Sequence, residues 1–246
     1  MRKTRICKLL NETGEVKVDE LSNMFGVSLE TIRRDLKLLD KKGLLVRVYG
    51  GAISKDTNDI GTSFVKRAKS NVGDKQQLVE MAISQINEHS VIGLDASSSS
   101  WLLAQSLPNI ECTVVTNSIN IINALEKKTN IDIISLGGNY SEKYKSFYGS
   151  IARETLDKMS LDVCFISCVG VDFNSGVWDS NEYNHEIKKS LIKISNKVVL
   201  IADKSKVNKR SLLKVCDINA LDHLITNLNF AEDDVMTLKE NNVVVN

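Results

Sequence analysis

"SLETIRRDLKLLDKKG", residues 28–43, is the stretch from which the rest of the chain is read. Ile32, Leu36 and Leu39 recur at i, i+4 and i+7, the stripe of an amphipathic helix. Ser28 stands where a side chain caps a first turn, Lys41 and Lys42 suit a last turn, and Gly43 is a natural stop. The spacing therefore predicts a helix over 28–42. Arg33 and Arg34 fall near its N-terminal end, where the helix dipole is electropositive and cations are mildly unfavourable. Two arginines there call for an anion that offsets the cost.

Working outward, residues 2–12 read as a first helix with Ile6, Leu9 and Leu10 apolar, and "TGEVKV" (13–18) as a short turn. "VDELSNMFG" (18–26) reads as a second helix with Leu21, Met24 and Phe25 inward and Gly26 at its end. "LLVRVYGGAI" (44–53) alternates apolar with other residues and closes on Gly50-Gly51, the pattern of a two-stranded wing. Three helices and a wing make a winged helix-turn-helix. A recognition helix enters the major groove by its N-terminal end, where arginine pairs bidentately with guanine O6 and N7 or clamps a phosphate. The DNA-contact candidates are Ser28, Thr31, Arg33, Arg34 and Lys37 on the helix and Arg47, Tyr49 and Gly50 in the wing. A solvated helix face with an incidental charge pair is the competing reading, and the neighbouring helix, turn and wing weigh against it.

The charge balance has the same asymmetry. Residues 1–53 carry 11 Lys or Arg against 7 Asp or Glu, and the remainder 21 against 24. A basic head on a slightly acidic body fits nucleic-acid binding by the first and another ligand for the second. No apolar run approaches the roughly 18 residues of a membrane span, and no signal-peptide core follows the N-terminus, so a cytoplasmic protein is expected. The five cysteines form no CxxC pair, and Cys164 and Cys168 in "DVCFISCVGV" read as small core residues. His89, His185 and His223 lack ligand spacing, so neither a metal nor a cofactor is expected.

"SKDTNDIG" (54–61) is polar and aperiodic and reads as a linker between a DNA-binding domain at 1–53 and a second domain at 62–246. One long helix ending near 88 is expected next, with Leu78, Val79, Ala82, Ile83 and Ile86 on one face. From residue 90 short apolar runs alternate with helical stretches. The strand candidates are "VIGLDA", "CTVVTN", "DIISLGG", "DVCFISCVGVD", "KVVLIAD" and "HLIT", with helices near 100–107, 119–128, 148–159 and 181–195. This alternation predicts an α/β fold with a mostly parallel sheet covered on both faces.

Several strand ends carry small polar residues. In "LDASSSSW" (94–101) a serine run leads from a strand into a helix N-terminus, a natural anion site. Ligands of open parallel sheets bind at the carboxyl ends of strands. A serine-rich helix cap is the alternative. Asp95 would repel a phosphate directly, so it suits a sugar hydroxyl or the ordering of the loop. "VVTNS" and "SLGGN" are similar ends, and "GVD" (170–172) and "ADKSK" (202–206) follow, with Lys206 a candidate phosphate cation. Trp101 and Trp178 read either as core residues or as an apolar wall.

Arg2, Ile6 and Leu10, then Ser28, then Thr31-Ile32-Arg33-Arg34-Asp35-Leu36, with "RVYGGA" at 47–52, resemble the head of the DeoR family of bacterial sugar-metabolism regulators. The resemblance runs to about residue 227. It implies a C-terminal domain with a Rossmann-like fold similar to ribose-5-phosphate isomerase, and a sugar-phosphate effector. It implies a phosphate loop at Asp95 to Ser99, including Ser97, Ser98 and Ser99, with Thr116, Asn117, Gly137, Gly138, Asp172 and Lys206 lining the rest. The usual loop is DAGTT, and this chain has Ser97 for the glycine. "DASSSSW" with "VWDSN" is most similar to the L-fucose operon branch, whose ligand is L-fuculose 1-phosphate.

The expected partners are double-stranded operator DNA and the sugar phosphate, bound by a homodimer or homotetramer, because paired heads read operators. The alternative is a sugar-phosphate isomerase carrying a DNA-binding head. Isomerases follow their acidic motif with a glycine-rich lysine loop, which "DFNSGVWDSN" lacks, so no enzyme activity is expected. A phosphatase reading of "VDFNSG" fails at Asn174, where a second aspartate is needed.

Overall fold

The computed structural model describes residues 2–13, 15–42, 44–48, 50–53 and 61–246. The chain divides into two compact units, residues 1–67 with 142–144, and residues 68–141 with 145–246.

In the first unit, α1 (Arg2–Thr13), α2 (Val18–Phe25) and α3 (Leu29–Lys41) enclose a core of Ile6, Leu10, Leu21, Ile32, Leu36, Leu39 and Leu45. Ser28 caps α3, its Oγ accepting from Thr31 N at 3.3 Å. Gly26 ends α2 in the left-handed region at φ 61°, which glycine adopts without a Cβ clash. Val27 N then donates back to Ser22 O at 3.2 Å, closing the turn between α2 and α3. Met24 differs from expectation, being 55% exposed. Val18, Leu21 and Phe25 follow i, i+3 and i+7 in α2, and Met24 lies off that stripe.

The wing has three strands rather than two. The "TGEVKV" stretch, expected as a turn, contains β1 (Glu15–Lys17), and it joins β2 (Val46–Val48) and β3 (Gly51–Ile53) in the order β1-β3-β2. Both wing glycines have a reason. Gly50 takes φ 81°, and a Cβ on Gly51 would stand 2.1 Å from Val16 O. Gly43, Tyr49 and residues 54–60 of the expected linker lie outside the described residues.

The single long helix expected before residue 88 is two helices, α4 (Phe64–Lys69) and α5 (Val72–Ile83). Asn71 breaks them with φ 49°, and its Nδ2 donates to Asp203 Oδ1 at 3.2 Å and Ser205 Oγ at 3.0 Å. The second unit continues through β4 (Val91–Leu94), α6 (Ser98–Ser106), β5 (Cys112–Thr116), α7 (Ile119–Leu125) and β6 (Ile131–Ser135). A hairpin of β7 (Asn139–Ser141) and β8 (Ser146–Tyr148) leads to α8 (Ser150–Leu156) and β9 (Val163–Ser167). The "DVCFISCVGVD" run is not one strand, because β10 (Gly170–Asp172) leaves the main sheet and pairs with β11 (Gly176–Asp179). Then come α9 (Glu182–Ile194), β12 (Val198–Ile201), β13 (Leu213–Cys216), β14 (His223–Ile225), α10 (Glu232–Glu240) and β15 (Val244–Val245).

The main sheet has seven strands, all parallel, in the order β15-β14-β12-β9-β4-β5-β6. Strands β9 and β12 are buried throughout, as central parallel strands must be. Ile92 and Leu94 face a core shared with Leu78, Val79, Leu103, Ala104, Ile121 and Leu125 of α5, α6 and α7. Gly93 points the other way, where a Cβ would stand 3.0 Å from Leu191 Cδ2 of α9. The C-terminus of α6 is closed by Lys128, whose Nζ donates to Ala104 O and Gln105 O, both at 2.9 Å, and to Leu107 O. Strand order reverses at β4. The chain winds outward through β5 and β6, then crosses to β9 on the other side, so the carboxyl ends of β4 and β9 form the topological switch point.

Candidate DNA interface and sensor site

In α3 the buried residues are Ile32, Asp35, Leu36 and Leu39, which turns Arg33, Arg34 and Lys37 to solvent. Ser28 and Arg47 are exposed, and Thr31 is half-buried. Ser28 Oγ and Thr31 Oγ1 are 2.9 Å apart, so their first role is to build the helix start. Arg33 Nη1 lies 3.5 Å from Glu30 Oε2, an exposed i,i+3 pair of little energetic weight. Asp35, part of the quoted signature but given no role there, is buried. Its buried Oδ2 accepts from Arg2 Nε at 2.6 Å, and Lys3 Nζ lies 3.7 Å from Oδ1. The start of α1 is thereby tied to the middle of α3.

In the second unit the switch point carries the serine loop. Asp95 is 1% exposed and follows β4. Its Oδ1 accepts from Ser97 N at 3.2 Å and Ser100 Oγ at 2.5 Å, and its Oδ2 from Ser167 N at 3.1 Å at the end of β9. Ser97 caps α6, its Oγ accepting from Ser100 N at 3.0 Å, and its φ of −85° is ordinary. A serine therefore stands here without strain where the usual DeoR loop has glycine. Ser98 and Ser99 are buried in the first turn of α6.

Lys188, on the buried face of α9, donates to Asp179 Oδ2 and lies 3.5 Å from Asp95 Oδ2. Burial alone would push its pKa down. Asp179 and then Asp95 outweigh that, and the ammonium stands above the ordinary lysine value. Burial pushes the Cys168 thiol, just beyond β9, up to about 12, while Lys188 and Lys206 pull it down and Asp179 and Asp203 push it up. Lys206 ends the short turn after β12, its backbone N donating to Asp203 O at 2.8 Å. Cys164 is likewise raised to about 12 by burial, so both thiols are inert core residues.

The other candidates are arranged around this loop or apart from it. Thr116 Oγ1 donates to Leu94 O at 2.8 Å and accepts from Ser118 N at 3.1 Å, joining the ends of β4 and β5. Asn117 Nδ2 donates to Phe147 O at 2.9 Å. Gly138 has φ 126° and lets the backbone approach Tyr148 O, where a Cβ would stand at 2.3 Å, whereas Gly137 has room around it. Asp172 is spent on its own turn, accepting from Ser175 N at 2.8 Å and from Arg210 Nε at 3.1 Å. Trp101 packs on the main core, and Trp178 Nε1 donates to Ser175 Oγ at 3.2 Å in the small sheet.

Sequence reasoning gave no site role to Lys188 or Asn184, nor to Asp179 and Asn181, which it quoted only within "VWDSN". A signal existed in α9. Asn184, Ile187, Lys188 and Leu191 follow i, i+3, i+4 and i+7, and a lysine on a buried stripe implies carboxylate partners.

A winged helix-turn-helix with an outward-facing basic recognition helix, joined to a parallel α/β sensor unit, defines a DNA-binding transcription regulator. The chain belongs to the DeoR family: residues 2–58 match the DeoR-like helix-turn-helix domain and residues 70–228 the DeoR C terminal sensor domain. It is 39% identical to the L-fucose operon activator of Haemophilus influenzae over 241 residues, which is 95% of this chain and 97% of that protein. It is 36% identical to the L-fucose operon activator of Escherichia coli K12, covering 89% of this chain and 90% of that one. A putative aga operon transcriptional repressor of Escherichia coli O157:H7 is 28% identical over 99% of this chain and 92% of its own length. Ribose 5-phosphate isomerase A of Methanocaldococcus jannaschii is a structural neighbour at 18% identity and TM-score 0.41, covering 56% of this chain and 55% of that one. Among the described residues no helix is long and apolar enough to cross a membrane, and no group of His, Cys, Asp and Glu is placed to hold a metal.

Proposed function

We infer that this regulator controls a carbohydrate catabolic operon and answers to a sugar phosphate, with L-fuculose 1-phosphate the first candidate. The observation that carries the reading is the start of α6 at the switch point, with Ser97, Ser98 and Ser99 buried around a helix N-terminus. Backbone N–H groups and hydroxyls there suit a phosphate. Asp95 orders the loop rather than meeting the anion, since both its oxygens are occupied by backbone and serine donors. Lys206 supplies a cation nearby, and Thr116, Asn117 and Gly138 shape the adjoining strand ends.

In the head, Arg33, Arg34 and Lys37 meet base edges and phosphates, and Arg47, Tyr49 and Gly50 of the wing reach the flanking backbone. Two heads on a homodimer or homotetramer read a symmetric operator. The protein acts as a regulator and not as an isomerase. The buried carboxylate nearest the serine loop is fully hydrogen-bonded and paired with Lys188, so it is not free to act as a base.

A thermal-shift screen of sugar phosphates tests the effector. A ligand at 100 times its dissociation constant adds about 2.7 kcal/mol of stability. A screen in which L-fuculose 1-phosphate and other ketose and deoxysugar phosphates leave the transition unmoved would refute the reading.

A further inference from the structure

Beside the serine loop, three polar atoms have no hydrogen-bond partner among the described residues: Asn117 Oδ1, Ser118 Oγ and Asn181 Nδ2. Asn117 and Asn181 are 1% exposed and Ser118 is 0% exposed. Each residue is held by its other groups. Asn117 Nδ2 donates to Phe147 O at 2.9 Å, Ser118 N donates to Thr116 Oγ1 at 3.1 Å, and Asn181 Oδ1 caps α9 by accepting from Asn184 N at 2.9 Å. These bonds fix which end of each amide is spare, since flipping Asn181 would lose the cap.

The three residues belong to one neighbourhood. Ser118 pairs with Ser146, whose Oγ is 2.6 Å from Tyr148 OH, and that hydroxyl is 3.5 Å from Asn184 Oδ1. Through α9 the same group reaches Lys188, and through it Asp95. Native proteins rarely leave buried amides and hydroxyls unpaired, and such groups call for a partner from outside the chain, a water or a ligand.

The spare set is one acceptor, one donor and one hydroxyl that is both. It is uncharged. An ionised phosphate offers only acceptors and would face Asn117 Oδ1 with like polarity. A carbon chain bearing hydroxyls offers a donor and an acceptor at each position and satisfies all three atoms. We propose that Asn117, Ser118 and Asn181 read adjacent hydroxyls of the effector's sugar portion, and so set which sugar is sensed. This rests on the sugar-phosphate reading above, with the phosphate at the start of α6.

The test uses Ser118→Ala, Asn181→Asp and Asn181→Ser in the full-length protein. Asn181→Asp keeps an oxygen to cap α9 and removes the donor, and Asn181→Ser does so without adding charge. Calorimetry with L-fuculose 1-phosphate, fructose 1-phosphate and inorganic phosphate gives the readout. The expected result is at least a tenfold loss of affinity for the sugar phosphate that the parent binds. Inorganic phosphate affinity is unchanged in Ser118→Ala and Asn181→Ser, and the unliganded melting temperature of Ser118→Ala is not lowered, because the deleted hydroxyl has no partner. Parental sugar-phosphate affinity in all three variants overturns the assignment and leaves the phosphate loop standing. Equal losses for the sugar phosphate and for inorganic phosphate overturn it too, by placing the phosphate on these atoms. A parent that binds neither of these nor any other ketose or deoxysugar phosphate of the thermal-shift screen removes both this assignment and the reading beneath it.

Discussion

Lys188 Nζ lies 3.5 Å from Asp95 Oδ2, so a charge carried by α9 holds the loop that follows β4. Neither residue is more than 4% exposed, and Asp179 completes the cluster. Two carboxylates survive burial there only because the ammonium stands between them. Lys188→Met should therefore be destabilising by about 3–5 kcal/mol, the usual cost of stranding buried charge. Urea unfolding at neutral pH measures it, and a change below about 1 kcal/mol, the scale of an exposed ion pair, would show that the cluster is solvated after all.

Alkaline pH offers an independent check. The Lys188 pKa is raised above the ordinary 10.5, so its contribution is fully present below that value and is lost as pH rises through the folded value. Cys164, Cys168 and Cys216 are raised from 9.0 to about 12, which makes the folded state hold protons that the unfolded state releases between those values. Both effects have the same sign. The urea midpoint should fall steadily from about pH 9 upward, and a flat profile to pH 11 would contradict the burial of these groups.

In the head, Arg33→Ala and Arg34→Ala should leave the melting temperature unchanged, because both side chains point to solvent. Each should weaken operator binding by roughly 1–3 kcal/mol if it reads a base. Gel-shift titration decides this, and parental affinity in both variants would remove α3 from the major groove.

The wing glycines should respond differently. Gly51→Ala forces a Cβ to 2.1 Å from Val16 O and must push β1 away from β3. Gly50→Ala meets no neighbour and pays only for φ 81°, about 1–2 kcal/mol. Circular dichroism melts should therefore rank Gly51→Ala as the more damaging, and the reverse order would mean that the strands separate freely.

Ser98→Glu places a carboxylate in the first turn of α6, where the phosphate is proposed to sit. The variant should bind operator with parental affinity and cease to respond to the sugar phosphate. A working effector shifts operator affinity by roughly 5–150-fold, and operator DNA must shift effector affinity by the same factor. Calorimetry with and without operator tests both directions. Parental ligand affinity in Ser98→Glu would place the phosphate elsewhere.

Much of this was legible along the chain because the deciding patterns are local. Ile32, Leu36 and Leu39 announce α3 within two turns, and Ser28 announces its cap. The apolar runs of β4, β5, β9 and β12 announce a parallel sheet, since strands buried on both faces carry no alternation. The serine run after Leu94 announces a helix start at a strand end. The excess of Lys and Arg over residues 1–53 is likewise read locally, and it led to the expectation of a basic head on a slightly acidic body.

What the sequence did not disclose depends on partners distant in the chain. Glu15–Lys17 is too short to show a period, and it is a strand only because Gly51–Ile53 pairs with it. The break at Asn71 exists because its side chain bonds to Asp203 and Ser205, more than a hundred positions later, and this outweighs the helical pattern on either side. Lys188 lies on the apolar stripe of α9, which announces a buried partner, but nothing along the chain says that the partners are Asp95 and Asp179. Helix caps and apolar stripes are set by neighbours one or two turns away, so composition and spacing determine them. The charge cluster at the switch point and the unpaired amides beside it come from residues that only the winding of the sheet brings together, so the tertiary structure alone decides them.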